Sequence, residues 1–278
     1  MRAMFRRALS IAALLVPLQA VAAPPAAAEI LFFDGFEVGS QCAWSSATGV
    51  AGGPACCGAL LFEENFALAD GSPWPAPWVE AGNEVAVADI QQGRGRLRPD
   101  PSGYSLARMV APGTAGTIEA LFTLVFEDAA TQGVGFYARQ NGGYLQQTVP
   151  PGQGYAVFVE AFRGPGIGVW REQGGLEEQI EILFDNDLGL ANGVPYRVRY
   201  RLEDPPPLAL GNASRLRARV WPAGSAEPQA WQVDAIDMTG VLQNITGGFA
   251  IDSWSELTSG ITAHTLVDDL QIFAVCTP

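Results

Sequence analysis

The sequence contains no lysine, so all 16 basic side chains among its 278 residues are arginines. A catalytic lysine, acting as a Schiff base or as a general base, is therefore excluded. Histidine is almost as scarce, because His264 is the only one. A zinc site with several histidine ligands is excluded, and no serine or cysteine motif accompanies His264 to indicate a catalytic triad. No glycine-rich phosphate loop follows a strand and opens a helix.

Long apolar runs are also scarce, and the one near the start is too short to span a bilayer. Three arginines among the first seven residues precede an apolar run from Ala8 to Ala20, and small residues follow up to Ala22. This three-part pattern predicts a secretory signal over residues 1–22, with cleavage after Ala22. A retained membrane anchor is the alternative, but Pro17 interrupts any longer helix. No later stretch is long enough to be a transmembrane segment.

The charge balance is strongly acidic. Cleavage of the signal would leave 13 arginines against 29 acidic residues, a formal net charge of −16, whereas the whole chain carries −13. Such a surface repels the phosphate backbone, so nucleic acid is excluded as a partner.

The four cysteines, Cys42, Cys56, Cys57 and Cys276, show no C-x-x-C spacing and have no histidine nearby. In an exported protein this pattern predicts two disulfides and not a metal site. A bond between the neighbours Cys56 and Cys57 would be strained. The remaining pairings join Cys42 to one of these two and Cys276 to the other, and free thiols are the alternative.

Residues 23–59 are rich in small residues and contain one sharper motif, Phe33-Asp34-Gly35-Phe36-Glu37-x-Gly39, followed by Cys42 and Trp44. The motif resembles the DGFE-type leader of exported bacterial proteins. The segment is therefore interpreted as a cysteine-containing leader that acts as a tether or spacer.

From Leu60 onward the sequence consists of short runs of alternating polar and apolar residues separated by turn residues. This pattern predicts one all-β domain over residues 60–276, a length at which all-β domains are commonly single. No stretch with a helical period competes. The predicted strands cover 117–126, 135–140, 154–162, 166–171, 176–184, 196–202, 215–221, 229–233, 248–251 and 266–275.

Two of these strands alternate arginine with apolar residues, which predicts one face in water and one in the core. The arginines are Arg197, Arg199, Arg201, Arg215, Arg217 and Arg219. They can be interpreted as a cationic ligand-binding stripe or as a solvated sheet face whose charges pair with the surplus acids. The second interpretation is favoured.

The order of several short motifs resembles the concanavalin A-like lectin/glucanase superfamily, in its laminin G-like branch. The motifs are Glu64-Asn65-Phe66, Gly135-Phe-Tyr-Ala-Arg139, Gly154-Tyr-Ala-Val, Val169-Trp-Arg171, Tyr196-Arg-Val-Arg-Tyr, Leu216-Arg-Ala-Arg-Val-Trp221 and Val267-Asp-Asp-Leu-Gln-Ile-Phe273. The resemblance implies a two-sheet antiparallel jelly-roll sandwich with its first and last strands adjacent. Members include sugar-binding modules, adhesion modules, glycoside hydrolases and lyases, and many hold a structural calcium ion.

The favoured function is a secreted, non-catalytic carbohydrate-binding or adhesion module, with a glycan or a cell-surface or matrix component as its partner. Aromatic faces next to amides suit sugar rings, and this combination is richest in the loop from Asn141 to Gln153. The predicted ligand-binding residues are Tyr144, Gln146, Tyr155 and Arg139. Other aromatic residues near predicted turns are Trp74, Trp78, Tyr104 and Trp254, and core packing is the alternative for every one. A structural domain that only contacts other proteins is a third possibility.

The alternative function is a glycoside hydrolase or polysaccharide lyase acting on an extracellular polysaccharide. Laminarinase-like members of the superfamily carry Glu-x-Asp-x-Glu on one strand, and Glu177-Glu178-Gln179-Ile180-Glu181 resembles it. Period-two alternation places Glu177 and Glu181 on one face as a catalytic pair. Gln179 replaces the central aspartate, however, and a solvated acidic edge is the competing interpretation.

The resemblance also implies a structural calcium ion where the first and last strands meet, with Asp268 as its side-chain ligand. Alternation places Asp268 on the apolar face together with Leu270 and Ile272. A carboxylate there needs a cation or several backbone donors.

Overall fold

The computed structural model describes residues 58–101, 105–145, 150–185, 188–205 and 212–275. The predicted signal, the leader up to Cys57 and all four cysteines lie outside these residues. No helix in the described ranges is long and apolar enough to cross a membrane.

The described residues form fifteen β-strands. They are β1 Leu60–Glu64, β2 Val79–Ala81, β3 Val85–Gln91, β4 Arg94–Pro99, β5 Leu106–Ala115, β6 Ile118–Phe126, β7 Gln132–Gln140, β8 Gln153–Glu160, β9 Gly166–Gln173, β10 Leu176–Phe184, β11 Pro195–Glu203, β12 Ser214–Pro222, β13 Val233–Asp237, β14 Gly247–Ser255 and β15 Thr265–Ala274.

The strands build two antiparallel sheets. Sheet A has the order β13-β12-β11-β6-β15-β4-β3, and β1 pairs with the second half of β15 beside β4. Sheet B has the order β10-β9-β8-β7-β14-β5-β2. The fold is the two-sheet antiparallel jelly-roll sandwich that the sequence predicted. Its first and last strands are adjacent, with Leu60 opposite Phe273.

The core lies between the two sheets and is rich in aromatic rings. Phe122 of sheet A lies 5.6 Å from Phe136 of sheet B, measured between ring centroids, and Phe136 lies 6.3 Å from Tyr200 of sheet A. All three side chains are at most 2% exposed. Burying one side chain of this size stabilises the fold by roughly 1.5–3 kcal/mol, so facing aromatics hold the sheets together.

The arginines of β11 and β12 point away from this core, as their alternation predicted, and each is paired with an acid. The pairs join Arg197 to Asp269, Arg199 to Glu119 and Glu227, Arg201 to Glu119 and Glu203, Arg215 to Asp234, Arg217 to Glu203, and Arg219 to Glu227. This pairing supports the solvated-face interpretation over a free cationic stripe.

One predicted strand is displaced along the chain. The sequence predicted residues 229–233, whereas β13 begins at Val233. Trp231 lies instead against the guanidinium groups of Arg217 and Arg219, 5.1 and 4.4 Å from its ring centroid. Gln232 accepts a hydrogen bond from Val220 N through its side chain, so these residues cap the end of β12 before β13 starts.

Candidate functional site

The loop between β7 and β8 folds back on itself across the outward face of sheet B. Gly152 N donates to Tyr144 O at 3.0 Å, and Asn141 Nδ2 donates to Pro151 O at 2.9 Å. The Tyr144 ring packs on Gly82, where a Cβ atom would lie only 2.5 Å from the ring. Gln146, one of the predicted ligand-binding residues, lies outside the described residues.

The other three predicted ligand-binding side chains are buried, which corrects their expected role. Tyr144 is 1% exposed, and Tyr155 and Arg139 are fully buried. In this arrangement the three side chains cannot contact a ligand directly. Tyr144 Oη donates to Leu106 O at 2.5 Å, so this tyrosine holds the loop down on the sheet.

Arg139 and Tyr155 belong to a polar network that joins the two sheets. Arg139 donates to Asp204 at 2.8 Å and to Leu242 O at 2.5 Å. Tyr155 Oη donates to Asp237 at 2.7 Å, and Arg171 donates to the same carboxylate at 2.6 Å. The Arg171 guanidinium and these hydrogen bonds hold the pKa of Asp237 below its usual value, against the effect of burial.

The other candidate aromatics follow the core-packing alternative, apart from Tyr104, which lies outside the described residues. Trp74 and Trp78 belong to the core between the sheets. Trp254 belongs to a second apolar cluster on the outward face of sheet B, together with Tyr137, Phe158 and Trp170. The room for these rings comes from glycines, since a Cβ at Gly133 would lie 2.2 Å from Trp254.

A buried ion cluster lies beneath the folded loop. Arg108 donates to Asp252 through Nε and Nη2, both at 2.7 Å, and its Nη1 lies 2.9 Å from Glu172 Oε2. The same Nη1 donates to Gly143 O at 3.0 Å and so anchors the loop. All three charged side chains have no exposed surface. Burial raises the pKa of Glu172 to about 7, although Arg108 opposes the shift.

The predicted catalytic pair is not brought together. A β-bulge interrupts the pairing of β10 with β9 between Gln179 and Glu181. Glu177 is therefore opposite Glu172 on the outward face, whereas Glu181 is opposite Val169, which points into the core. The expectation that Glu177 and Glu181 share one face is wrong, because an inserted residue inverts the alternation.

A different carboxylate pair, Glu172 and Glu177, lies on adjacent strands. Tyr137 Oη donates to Glu177 at 2.6 Å and accepts from Trp170 Nε1 at 2.5 Å. Burial also raises the pKa of Glu177. Glu172 has no exposed surface, however. The pair therefore does not present two carboxylates to a glycosidic bond, which catalysis by this scheme requires.

An open cleft lies where the loop leaves β7. The cleft, here called the sheet B cleft, has a volume of about 440 Å³ and is lined by polar side chains, glycines, Phe249 and four aliphatic side chains, those of Val79, Val110, Ala111 and Pro112. The lining includes Val79, Glu80, Pro112, Gly113, Gln140, Asn141, Gly142, Thr246, Gly247 and Gly248. The glycines are required by close packing, since a Cβ at Gly248 would lie 2.2 Å from Ala111 O. The floor of the cleft is therefore backbone.

Gln140 is the distinctive group of this cleft. Its side-chain oxygen accepts from Gly142 N at 2.8 Å. Its Nε2 is buried and hydrogen-bonds to none of the described residues. A buried amide donor without a partner costs about 1–3 kcal/mol, and the burial of this one keeps it from direct contact with a ligand in this arrangement.

The position of Asp268 differs from its prediction. A bulge in β15 between Asp268 and Gln271, with Asp269 at a φ of 48°, turns Asp268 away from Leu270 and Ile272. Asp268 instead lines a cavity of about 530 Å³ on the outward face of sheet A, here called the sheet A cavity, together with Arg94 and Arg197.

A calcium ion does not fit at Asp268 in this arrangement. Two guanidinium groups share the cavity with its carboxylate. In addition, the described ranges contain no group of three or more His, Cys, Asp or Glu side chains that could hold a metal ion. Asp268 therefore lines a polar cavity that it shares with two arginines, and a calcium ion held mainly by main-chain carbonyls stays a prediction.

No protein-family model matches the sequence, and no curated protein matches it either. Solved structures match by fold. They include the carbohydrate-binding module CBM66 from Bacillus subtilis, at 12% identity and a TM-score of 0.46, covering 71% of this chain and 95% of that chain. The VIP36 exoplasmic/lumenal domain in its Ca²⁺/Man3GlcNAc-bound form matches at 12% identity and a TM-score of 0.48, covering 74% and 89%.

A Bacillus licheniformis β-glucanase also matches, at 12% identity and a TM-score of 0.44, covering 77% of this chain and 98% of that chain. These are likenesses of fold alone. At such identities and TM-scores they carry no argument about ligand or activity, and the strand order itself defines the sandwich.

Proposed function

We propose that the protein is an exported, non-catalytic carbohydrate-binding module that holds a neutral glycan in the sheet B cleft. The observation that carries this proposal is the rim of the cleft, where the exposed Glu80 and Asn141 side chains lie beside Val79 and Pro112. A sugar hydroxyl can donate its proton to the Glu80 carboxylate, which also accepts the Val85 amide at 3.3 Å. Val79 and Pro112 supply apolar surface for the C–H patches of a sugar ring.

The separation of the predicted catalytic pair supports a binding role over the hydrolase alternative. Glu177 and Glu181 lie on opposite faces, and Glu172 is sealed under the loop. The fixed glycine floor and the anchored loop give a preformed cleft, which reduces the conformational entropy lost on binding.

A glycan array followed by calorimetry tests this function. We expect the mature protein to bind at least one class of neutral oligosaccharide. Glu80→Met keeps the side-chain size but removes the acceptor, and it should weaken binding about three- to tenfold, the effect of one hydrogen bond. Glu256→Met, at an exposed glutamate beyond the opposite end of β14, is the matched control and should leave the affinity unchanged.

Absence of binding to every glycan on the array would overturn the function. Equal affinities of Glu80→Met and the wild type would overturn the assignment to this cleft. N-terminal sequencing of the exported protein tests export separately, with Ala23 as the expected first residue.

A further inference from the structure

The outward face of sheet A carries a second polar cavity that the proposed function does not use. The sheet A cavity lies across one transverse row of the sheet. Thr123 of β6 is opposite Asp268 of β15 on one side and Arg197 of β11 on the other, and Arg197 is opposite Trp221 of β12. Gly95 of β4 is opposite Val267. Because β4 and β15 are antiparallel, Arg94, which precedes Gly95, lies beside Asp268, which follows Val267. Five strands thus contribute one residue each to the row.

Most charges around the cavity are already paired. Arg197 Nη1 lies 3.2 Å from Asp269 Oδ2 and donates to Thr123 Oγ1 at 3.0 Å. Glu227 accepts from Arg199 at 2.6 and 2.9 Å and also pairs with Arg219. These contacts hold the side chains that form the walls of the cavity, and they neutralise the charges of Arg197, Asp269 and Glu227.

Two charged groups in the row remain available. The Arg94 guanidinium forms neither a hydrogen bond nor an ion pair with any residue in the described ranges. The Asp268 carboxylate accepts only the amide of its neighbour Asp269, at 2.8 Å. No ion pair joins Arg94 to Asp268, although they are neighbours across β4 and β15. The Arg94 guanidinium, a hydrogen-bond donor, and the Asp268 carboxylate, an acceptor, therefore line the same cavity next to the Trp221 indole.

We propose that the sheet A cavity is a second binding site, which takes a neutral, hydroxyl-rich ligand such as a hexose or pentose residue. A hydroxyl group can accept from Arg94 while donating to Asp268, which satisfies both. Trp221 supplies an apolar wall for the C–H face of a sugar ring. A charged ligand fits less well, because one free cation and one free anion leave the cavity neutral.

This site stands on residues different from those of the sheet B cleft and does not rest on the function proposed there. The sheet A cavity is formed by strands of sheet A, and the sheet B cleft by strands of sheet B and the loops that follow them. If both hold parts of the same polysaccharide, one molecule can engage two chains, and the effective concentration at the second site raises the overall avidity.

The indole N–H signal of Trp221 in an ¹⁵N NMR spectrum reports on this cavity and is identified by its loss in Trp221→Phe. The probes are the neutral trisaccharides of glucose, galactose, mannose and xylose, with trigalacturonate as the charged counterpart. We expect at least one neutral trisaccharide to shift the Trp221 signal in a saturable manner. Asp268→Asn and Arg94→Gln should each weaken this binding tenfold or more.

The matched controls are Asp234→Asn and Arg215→Gln, which change an exposed ion pair of the same sheet outside the cavity. They should leave the titration unchanged, and so should Glu80→Met. The proposal is overturned if no neutral trisaccharide shifts the signal, if trigalacturonate alone does so, or if Asp268→Asn binds as tightly as Asp234→Asn. Loss of the shift in Glu80→Met would assign the binding to the sheet B cleft and equally overturn a second site.

Discussion

Arg108 is directly opposite Asp252 on the adjacent strands β5 and β14, and its guanidinium holds both carboxylate oxygens at 2.7 Å. Replacing Arg108 by Met would leave Asp252 and Glu172 buried without their cation. We expect a loss of about 3–5 kcal/mol in the free energy of unfolding, measured by urea denaturation. Arg215→Met breaks an exposed pair and should cost at most about 1 kcal/mol. Equal effects of the two variants would contradict the importance of the buried cluster.

Glu172 makes the stability depend on pH. Burial raises the pKa of this carboxyl from 4.5 to about 7, so the folded protein binds the proton more tightly than the unfolded chain. Its contribution is greatest at low pH and is lost as the pH rises towards and through 7, by about 2–3 kcal/mol between pH 5 and 8.5. Glu172→Gln should flatten this part of the stability profile, whereas Glu256→Gln, at an exposed position, should retain it. A free energy of unfolding that rises with pH over this range in the wild type would contradict the prediction.

Gly133 provides the space that the Trp254 ring occupies on sheet B. A Cβ there would lie 2.2–2.4 Å from three atoms of the indole. Gly133→Ala should therefore destabilise the protein by about 1–3 kcal/mol, because the ring must leave its position. Gly224→Ala is the matched control, since no atom lies within 4 Å of its added methyl group. A thermal melt of Gly133→Ala that coincides with that of Gly224→Ala would show that the ring adapts without cost.

The pairing of β1 with β15 supports a disulfide between Cys276 and the predicted leader. Gly58 N donates to Ala274 O at 2.7 Å, and Leu60 is opposite Phe273. We expect Cys276 to bond to Cys56 or Cys57 and Cys42 to bond to the other. Peptide mapping without reduction should find one of these two pairings, and four free thiols would contradict the prediction. A bond closing so long a loop contributes about 5 kcal/mol at most in the chain-entropy model.

The strands β6 to β12, β14 and β15 were predictable because their patterning is strong, whereas β1 to β5 were not predicted. The predicted run from Leu176 to Phe184 has the same bounds as β10, and the arginine strands match β11 and β12 to within one residue at each end. Alternation could not reveal the bulges at Ile180 and Asp269. A single inserted residue leaves composition unchanged but inverts the face of every residue beyond it, and the predictions for Glu181 and Asp268 failed for this reason.

The site was less predictable than the fold. A tyrosine beside a glycine-rich turn gives the same sequence pattern whether its side chain contacts a ligand or packs against the protein. Tyr144 packs against the protein and holds its own loop on the sheet. Arg108, Glu172 and Asp252 come from three strands and carry no local motif. Their partnership is set by the order of strands in sheet B, which no short-range pattern encodes. Gln140 was closest to detection, because it directly precedes the loop that the sequence favoured.

The pairing of β1 with β15 determines how the domain would respond to a pulling force. The two strands are antiparallel, so the start of β1 and the end of β15 lie at the same end of their ladder. A load between these points would act across the backbone hydrogen bonds and break them one after another, with no shearing of the whole ladder at once. A disulfide between Cys276 and Cys56 or Cys57 would carry that load through a covalent bond, and the sandwich would then be shielded from tension applied through the residues before β1.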